Sequence, residues 1–168
     1  MDAGEVLSDA FGRLPALVRR AVDGLSLDRL GWVPADGANP IGWLVWHLTR
    51  IQDHHISEVL DADQVWVGDS WAARFGLEPD AQNTGYGHSA AEVRAVRPES
   101  AAALVEYYDA VAPRTMDLLA SVTAENLNRI VDRRWDPPVT MGVRLVSVLG
   151  DSLQHAGQAA YVRGLLPA

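Results

Sequence analysis

Asn39-Pro-Ile-Gly-Trp-Leu-Val-Trp-His-Leu48 opens the strongest helical pattern of this chain. Asparagine is a favoured N-cap and proline is favoured at the first helical position, so Asn39-Pro40 predicts a helix start. From there to about Leu60, most apolar residues lie three or four positions from another one, as on one face of a helix: Ile41, Leu44, Val45, Leu48, Ile51 and Ile56. This spacing predicts a long amphipathic helix, with His47 set among apolar neighbours.

Three further segments share the helical period. The first covers residues 4–25, where Pro15 predicts a kink or a shorter helix. The next covers residues 98–122, where Pro113 predicts a kink or a break. The last covers residues 141–165 and ends at a Gly/Pro-containing tail. Four long helices in a chain of 168 residues predict an all-α fold, a four-helix bundle formed by one domain, residues 1–168.

The connections contain less regular structure. Residues 61–88 form a long irregular connection rich in Gly, Asp, Asn and aromatic residues, and such connections are often functional. Short helical segments are predicted at 27–30, near 70–75, after Ser89 and at 124–130. The bundle is expected to keep one or two of them as extra helices. Residues 131–139 are expected to be extended, because Pro137-Pro138 excludes helix, but no hairpin is predicted.

Composition narrows the function classes. Hydrophobic residues make up 48% of the chain and charged residues 21%, which is typical of a soluble globular domain. The net charge of -8 argues against a nucleic-acid partner. The acidic N-terminus and the lack of an 18-residue apolar run predict no signal peptide and no membrane contact, so a cytoplasmic location is expected. The chain has no cysteine, and any thiol in its chemistry must come from outside.

Candidate metal ligands lie on two of the helices. Asp151-Ser-Leu-Gln-His155 places a carboxylate and an imidazole four residues apart, on one helical face. Together with His47 they would form a three-donor set that leaves a coordination position open, as in catalytic zinc sites. The alternative is an ordinary surface ion pair. The apolar neighbours of all three residues favour the metal, because buried polar groups need partners.

Three motifs carry a resemblance to a known family: Gly42-Trp-Leu-Val-Trp-His47-Leu, Gln52-Asp53-His54 and His155-Ala-Gly-Gln158-Ala-Ala-Tyr-Val-Arg163-Gly164. In order and spacing they resemble the DinB/YfiT superfamily. More narrowly, they resemble its branch related to the metal-binding domain of mycothiol-dependent maleylpyruvate isomerase. The resemblance implies a bundle with up-down-down-up connectivity and a divalent metal, zinc or nickel, held by three side chains.

The resemblance also implies which residues hold that metal. His47 and His155 match the first and last ligands of the family. Asp151 stands where the family has His or Glu, and its shorter arm would shift the metal or weaken the site. His54 or a water could then compensate as a ligand. The branch implies that the metal binds a low-molecular-weight thiol, which becomes a good nucleophile when deprotonated.

Two classes of function therefore remain open. The first is a metal-dependent enzyme that transfers a thiol to, or isomerises, a small electrophilic substrate, with metal-assisted hydrolysis as the next choice. The second is a non-catalytic bundle that acts as a small-molecule binding module or as a dimerisation module. Asp151 in place of His or Glu is the feature that favours the second class. A homodimer is compatible with either.

Other candidate residues surround the predicted site. Trp43 lies one turn before His47 and either walls a pocket or packs in the core. Gln158 lies about one turn after His155 and either fixes the imidazole or makes a helix contact. His88 is predicted to be a turn residue. Arg50 and Arg163 could bind a substrate carboxylate or could lie on solvated helix faces. Trp66 and Trp71 could line the mouth of a pocket or form a dimer contact.

Overall fold

The computed structural model describes residues 1–167, and its regular secondary structure is almost entirely helical. Seven α-helices follow one another along the described chain: α1 Ala3–Gly12, α2 Leu14–Val22, α3 Leu27–Gly31, α4 Ile41–Leu60, α5 Ala90–Ala95, α6 Ala101–Ala120 and α7 Met141–Gly164. Helices α1 and α2 meet at Arg13 and together form the first rod of the bundle, while α4, α6 and α7 form the other three. The predicted all-α four-helix bundle is confirmed.

Contacts between the rods give their directions. Three pairs of rods are each joined by two contacts at different heights. These contacts are Asp53–Tyr107 and Ser57–Arg114 for α4 and α6, His47–Asp151 and His55–Arg144 for α4 and α7, and Arg19–Asp109 and Gly4–Leu119 for the first rod and α6. Residue numbers rise together only in the first pair, so α4 and α6 are parallel and the other two pairs are antiparallel. The connectivity is therefore up-down-down-up.

Prolines lie in two of the rods, and the shortening predicted at Pro15 is the one that occurs. The first rod divides before Pro15, which lies in the first turn of α2, where a missing N–H costs nothing. By contrast α6 continues from Ala101 to Ala120 through Pro113, so the predicted break is wrong. Helix α4 also begins one residue late. Pro40 is itself the capping residue, with extended backbone and a carbonyl that accepts from the Leu44 N–H.

The short elements outnumber the one or two that the sequence predicts. Besides α3 and α5, three 3-10 turns occur, at Val65–Val67, Ala72–Phe75 and Asn126–Asn128. The absence of a hairpin is also wrong, because β1 (Ile130–Asp132) and β2 (Val139–Thr140) pair antiparallel. These strands have three and two residues, too few to give an alternating pattern in the sequence.

A buried carboxylate ties this hairpin to the bundle. Asp132 is 5% exposed, and its Oδ2 accepts from the Arg144 guanidinium of α7 at 2.7 Å. Its Oδ1 accepts from the backbone N–H and the Nε of Arg134 at 2.9 Å each. The hydrogen bonds from Arg134 lower the pKa of Asp132 well below its usual range, even though burial alone would raise it. The charged form is therefore the form that folding favours.

Replacing Asp132 by Asn should lower the free energy of unfolding by about 3 kcal/mol at pH 7, because it leaves Arg144 without its buried partner. Asp132 has a lower pKa in the folded chain than its unfolded value of about 3.9. Its charge therefore stabilises the fold above that pH, and the stabilisation is lost as the pH falls below it. Urea unfolding of both proteins should give a difference that shrinks between pH 6 and pH 3. Asp117→Asn, at an exposed carboxylate on α6, is the control and should change little.

Within residues 1–167, no helix combines the length and the apolar character needed to cross a bilayer.

Candidate metal centre

The structure brings the three predicted ligands together between α4 and α7. His47 Nε2 lies 3.9 Å from Asp151 Oδ1, and His155 Nε2 lies 3.5 Å from the same oxygen. One donor atom from each residue falls within 4.8 Å of the other two. His47 is 4% exposed, and the side chains of Asp151 and His155 are partly buried. Two imidazoles and one carboxylate therefore face one another at a half-covered position in the bundle.

A backbone carbonyl sets the orientation of His47. Its Nδ1 lies 2.6 Å from the oxygen of Thr84, in the long connection between α4 and α6. Because a carbonyl only accepts, this contact requires the proton to be on Nδ1, and Nε2 then keeps its lone pair. Metal-binding histidines are oriented in this way, with the second nitrogen donating to a carbonyl or carboxylate.

Gln158 holds the second imidazole in the same way. His155 Nδ1 donates to Gln158 Oε1 at 2.9 Å, which leaves Nε2 free to face Asp151. Of the two interpretations of Gln158 from sequence, the structure favours fixing the imidazole. The Nε2 atoms of both histidines thus face the same carboxylate.

The carboxylate itself carries an unpaired oxygen. Asp151 Oδ2 is buried, and no residue in the described part of the chain donates a hydrogen bond to it. A buried acceptor without a partner costs free energy, and a cation beside the two Nε2 atoms would remove that cost. The nitrogen and oxygen donors also match what zinc and nickel accept. The residues present therefore fit a divalent metal.

The pKa values of the two histidines are shifted in opposite directions. Burial lowers the pKa of His47, and it outweighs the opposing effects of the Thr84 carbonyl and the Asp151 charge. Burial also acts on His155, but there the hydrogen bond and charge of Asp151, with help from Gln158, raise the pKa. His47 is thus neutral at pH 7 and ready to bind a cation. At His155 a proton and a cation compete for the same lone pair.

Trp43 covers one side of the centre, and His88 holds Trp43 in place. The Trp43 indole stacks on the His47 ring, with centroids 4.6 Å apart and planes 11° apart, and presents an edge to His155. Its Nε1 donates to His88 Nδ1 at 3.2 Å, while His88 Nε2 donates to Asn83 Oδ1 at 2.9 Å. Trp43 therefore packs in the core and walls the site. His88 supports that wall, a role that its prediction as a turn residue missed.

At Gly85 the backbone of the connection between α4 and α6 passes close to the His47 ring. Its φ of +91° belongs to the region that favours glycine, and a Cβ there would lie 2.7 Å from His47 Nδ1 and 2.8 Å from the Trp46 ring. The backbone approaches this closely because the neighbouring Thr84 carbonyl must reach His47. Sequence reasoning missed Gly85, although a glycine beside a polar loop carbonyl is the available signal.

Gly85→Ala should weaken zinc binding about 10- to 100-fold, the cost of disturbing a partner that orients a ligand. Gly87→Ala is the matched control, since Gly87 has a similar φ of +75° but open space where a Cβ would lie. It carries the backbone strain without the clash. Competition with a chromophoric chelator measures both affinities. Equal affinities in the two variants would contradict the orienting role of the close contact.

Arg50 of α4 holds the connection between α4 and α6 through several hydrogen bonds. Its side chain is 0% exposed, and it donates to the carbonyls of Ala81 and Asn83 at 3.1 and 3.0 Å and to Gln64 at 3.0 Å. Its charge is balanced by Asp53 at 3.4 Å. Both sequence interpretations of Arg50, a substrate clamp or a solvated face, are wrong. Its guanidinium holds the chain segment that brings Thr84 to His47.

Asp53 completes this buried network. Its carboxylate accepts from the backbone N–H groups of Val65 and Trp66 at 2.9 and 2.8 Å, and from the Tyr107 hydroxyl at 2.8 Å. Arg50 also lies 4.9 Å from the centroid of the Trp66 ring. Trp66 is 0% exposed, so it is a core residue and neither a pocket mouth nor a dimer contact.

His54 does not reach the predicted centre. Two helical turns after His47, its Nδ1 contacts Gln64 and the Ala81 carbonyl, and its Nε2 lies 3.7 Å from Glu58. The expectation that it compensates for Asp151 is therefore wrong. With His55 and Glu58 it forms a second cluster of possible metal donors.

Two arginines already occupy the second cluster. Arg134 donates to Glu58 Oε1 at 2.9 Å, and Arg144 NH1 lies 3.4 Å from His55 Nε2. Two guanidinium groups beside the donors repel a divalent cation, which leaves His47, Asp151 and His155 as the better site. Elsewhere, Arg163 donates to the carbonyl of Ala21 at 3.2 Å and joins α7 to α2, a structural contact that sequence reasoning did not consider.

A cavity lies on the other side of the Trp43 wall. It has a volume of about 490 Å³ and lies among α3, α5 and the start of α4. Trp43 and His88 form the side nearest the centre, and Arg94 and Arg97 stand among the polar lining residues. The volume is within the range of small-molecule sites.

The fold and the site together define a class of protein, a four-helix bundle with a candidate metal centre of two histidines and one aspartate. The sequence of residues 10–159 matches the DinB superfamily model, which covers most of the chain. This protein belongs to the DinB superfamily.

Solved structures resemble the chain over nearly its whole length. A conserved protein from Enterococcus faecalis superposes with a TM-score of 0.87 at 28% identity, covering 97% of this chain and 96% of that one. YfiT from Bacillus subtilis superposes with a TM-score of 0.66 at 14% identity, covering 96% of this chain and 87% of its own. YfiT is described as a probable metal-dependent hydrolase with an unusual four-helix bundle topology. No curated protein sequence matches the chain significantly.

Proposed function

We propose that this protein is a metal-dependent enzyme whose centre consists of His47, Asp151 and His155, with zinc or nickel as the cation. One observation carries the proposal. Two imidazoles, each fixed through Nδ1, turn their Nε2 atoms toward a carboxylate whose second oxygen is buried without a described partner. This combination is costly for folding and useful only if something binds between the three side chains.

Three protein donors leave a position open for a reacting molecule. A divalent cation bound there supplies Lewis acidity and lowers the pKa of a water or thiol in that position. The chain contributes orientation: Thr84 and Gln158 fix the imidazoles, and Trp43 covers one side and excludes water from the His47 ring. The cavity beyond Trp43 and His88 is the candidate site for a small-molecule substrate.

Hydrolysis is the reaction class that we propose first. The same fold in YfiT is described as that of a probable metal-dependent hydrolase, and hydrolysis needs no co-substrate other than water. Transfer of a low-molecular-weight thiol such as mycothiol, or a thiol-dependent isomerisation, is the second candidate. It is favoured by the motif resemblance described above. The absence of cysteine means that the thiol would have to be external.

Elemental analysis of untagged protein tests the metal, and a paired assay tests the reaction class. We expect about one equivalent of zinc or nickel per chain. Small esters and amides are then assayed with and without an added low-molecular-weight thiol, and small electrophiles in the same two conditions. Turnover without thiol supports the hydrolase, and thiol-dependent turnover supports the transferase. A protein that contains no divalent metal and takes up none on titration would overturn the proposal and favour a non-catalytic bundle.

A further inference from the structure

The cavity beside Trp43 has an apolar floor and a charged rim. Its buried lining residues are all apolar: Leu30, Pro40, Gly42, Trp43, Val93 and Val96. Its aspartate and arginine lining residues are all exposed, and they form an acidic pair, Asp28 and Asp36, and a basic pair, Arg94 and Arg97. A cavity of about 490 Å³ with this lining has room for a small molecule that combines an apolar body with charged ends.

The two pairs lie on opposite walls of this cavity. The acidic pair belongs to α3 and to the connection that follows it, and the basic pair belongs to α5 and to the residues just after it. The start of α4 runs between these segments. A Cβ built at Gly42 would lie 3.2 Å from the Leu30 carbonyl oxygen on one side and 3.2 Å from the Pro98 ring on the other. The cavity therefore has one acidic wall and one basic wall.

Neither pair has a counter-ion within the chain. In the part of the chain that the structure describes, no ion pair involves any of these four residues, whereas Arg19, Arg74 and Arg134 on other surfaces each pair with a carboxylate. Among residues 1–167, the basic pair makes one side-chain hydrogen bond, from Arg97 Nε to the Arg94 carbonyl at 3.4 Å. The two walls are thus too far apart to pair with each other, and a ligand between them can bind both.

We propose that this cavity binds a small zwitterion, with its ammonium group at the acidic pair and its carboxylate at the basic pair. The proposal rests on the proposed function, which places the substrate in this cavity, and it names the chemical class of that substrate. Guanidinium groups match the geometry of a carboxylate, and the apolar floor accepts the body of the molecule. A bound molecule would lie against Trp43, whose indole stacks on His47.

The opposite charges of the walls select against simpler ligands. A purely anionic molecule is repelled by the acidic pair, and a purely cationic molecule is repelled by the basic pair. Specificity of this kind depends on repulsion of the wrong ligand as much as on attraction of the right one. The lining therefore favours a molecule that carries both charges at separate ends.

The dipeptide leucyl-phenylalanine is a suitable probe, because it has an apolar body and a charge at each end. Its N-acetylated form keeps only the carboxylate, and its C-terminal amide keeps only the ammonium group. By isothermal titration at pH 7 we expect a Kd of roughly 0.1 mM for the dipeptide, and about 5-fold weaker binding of each capped form. Equal binding of the three forms, or no binding of any of them at millimolar concentration, would overturn the proposal.

Variants of the two walls assign each end of the dipeptide. Arg94→Met combined with Arg97→Met should weaken binding of the dipeptide about 5-fold and should not weaken binding of the amide, which lacks the carboxylate. Asp28→Asn combined with Asp36→Asn should weaken binding of the dipeptide by a similar factor and should not weaken binding of the acetylated form. A variant that weakens all three forms equally would show that its residues support the cavity without recognising charge, and this result would contradict the proposal.

Arg133→Met and Asp117→Asn are the matched controls, since both residues are exposed and lie outside the cavity. Neither should change the binding of the dipeptide. Binding should also persist after treatment with a chelator, because none of the four charged residues belongs to the candidate metal centre. A protein without metal that binds the dipeptide would thus overturn the proposed enzyme and support the zwitterion site, and a metal-containing protein that binds none of the three forms would do the reverse.

Discussion

Replacing His47 and His155 together by alanine is expected to abolish zinc and nickel binding. The double variant keeps only the Asp151 carboxylate, and one monodentate carboxylate does not hold a divalent cation against water. The loss should exceed the roughly 100-fold that removal of one orienting partner costs. Isothermal titration and elemental analysis measure it, and metal-dependent turnover should disappear in parallel.

The matched control is His54→Ala combined with His55→Ala. It also removes two imidazoles, but from the cluster whose donors are already occupied by Arg134 and Arg144. Its metal content should remain that of the unmodified protein. If this control loses the metal while the His47/His155 variant keeps it, the centre is in the wrong cluster. Helical circular dichroism should remain largely unchanged in both proteins, which separates ligand loss from unfolding.

Sequence reasoning could bring the three candidate ligands together because they lie on periodic elements. The four-residue spacing of Asp151 and His155 determines that they share a face of α7, and the apolar neighbours of His47 point it into the bundle. The position of Gln158 follows from the same helical geometry. Once these helices are predicted, bundle packing brings the three ligands within 4.8 Å of one another.

The surroundings of the ligands could not be predicted in the same way. Thr84, Gly85 and His88 belong to the connection between α4 and α6, where no period relates sequence to position. Its path depends on side-chain bonds to backbone carbonyls, above all those of Arg50, and such bonds leave no pattern in the sequence. For His54 the helical period was misleading. It lies on nearly the same face of α4 as His47, but two turns further along the helix that face contacts different residues.

The largest effect on stability is expected from Arg50→Met. Methionine fills a similar volume but leaves the Asp53 carboxylate without its cation, removes the donor of the Asn83 carbonyl and removes one contact from the Ala81 carbonyl. Removing one partner of a buried ion pair costs about 3–5 kcal/mol. For a chain of this size that corresponds to a decrease in Tm of roughly 10 °C. Calorimetry or urea unfolding measures the change, and Arg94→Met, at an exposed arginine, should stay within about 0.5 kcal/mol.

Arg50→Met should also weaken metal binding, although Arg50 touches none of the three ligands. The guanidinium holds residues 81 and 83, and the next carbonyl along the chain, that of Thr84, orients His47. When the connection moves, Nδ1 of His47 loses its acceptor. The ring proton can then lie on either nitrogen, so the Nε2 lone pair is no longer always available to a cation. Affinity measured well below the lowered Tm should therefore fall about 10-fold or more. A variant that loses stability but retains full metal affinity would show that Thr84 is positioned without Arg50.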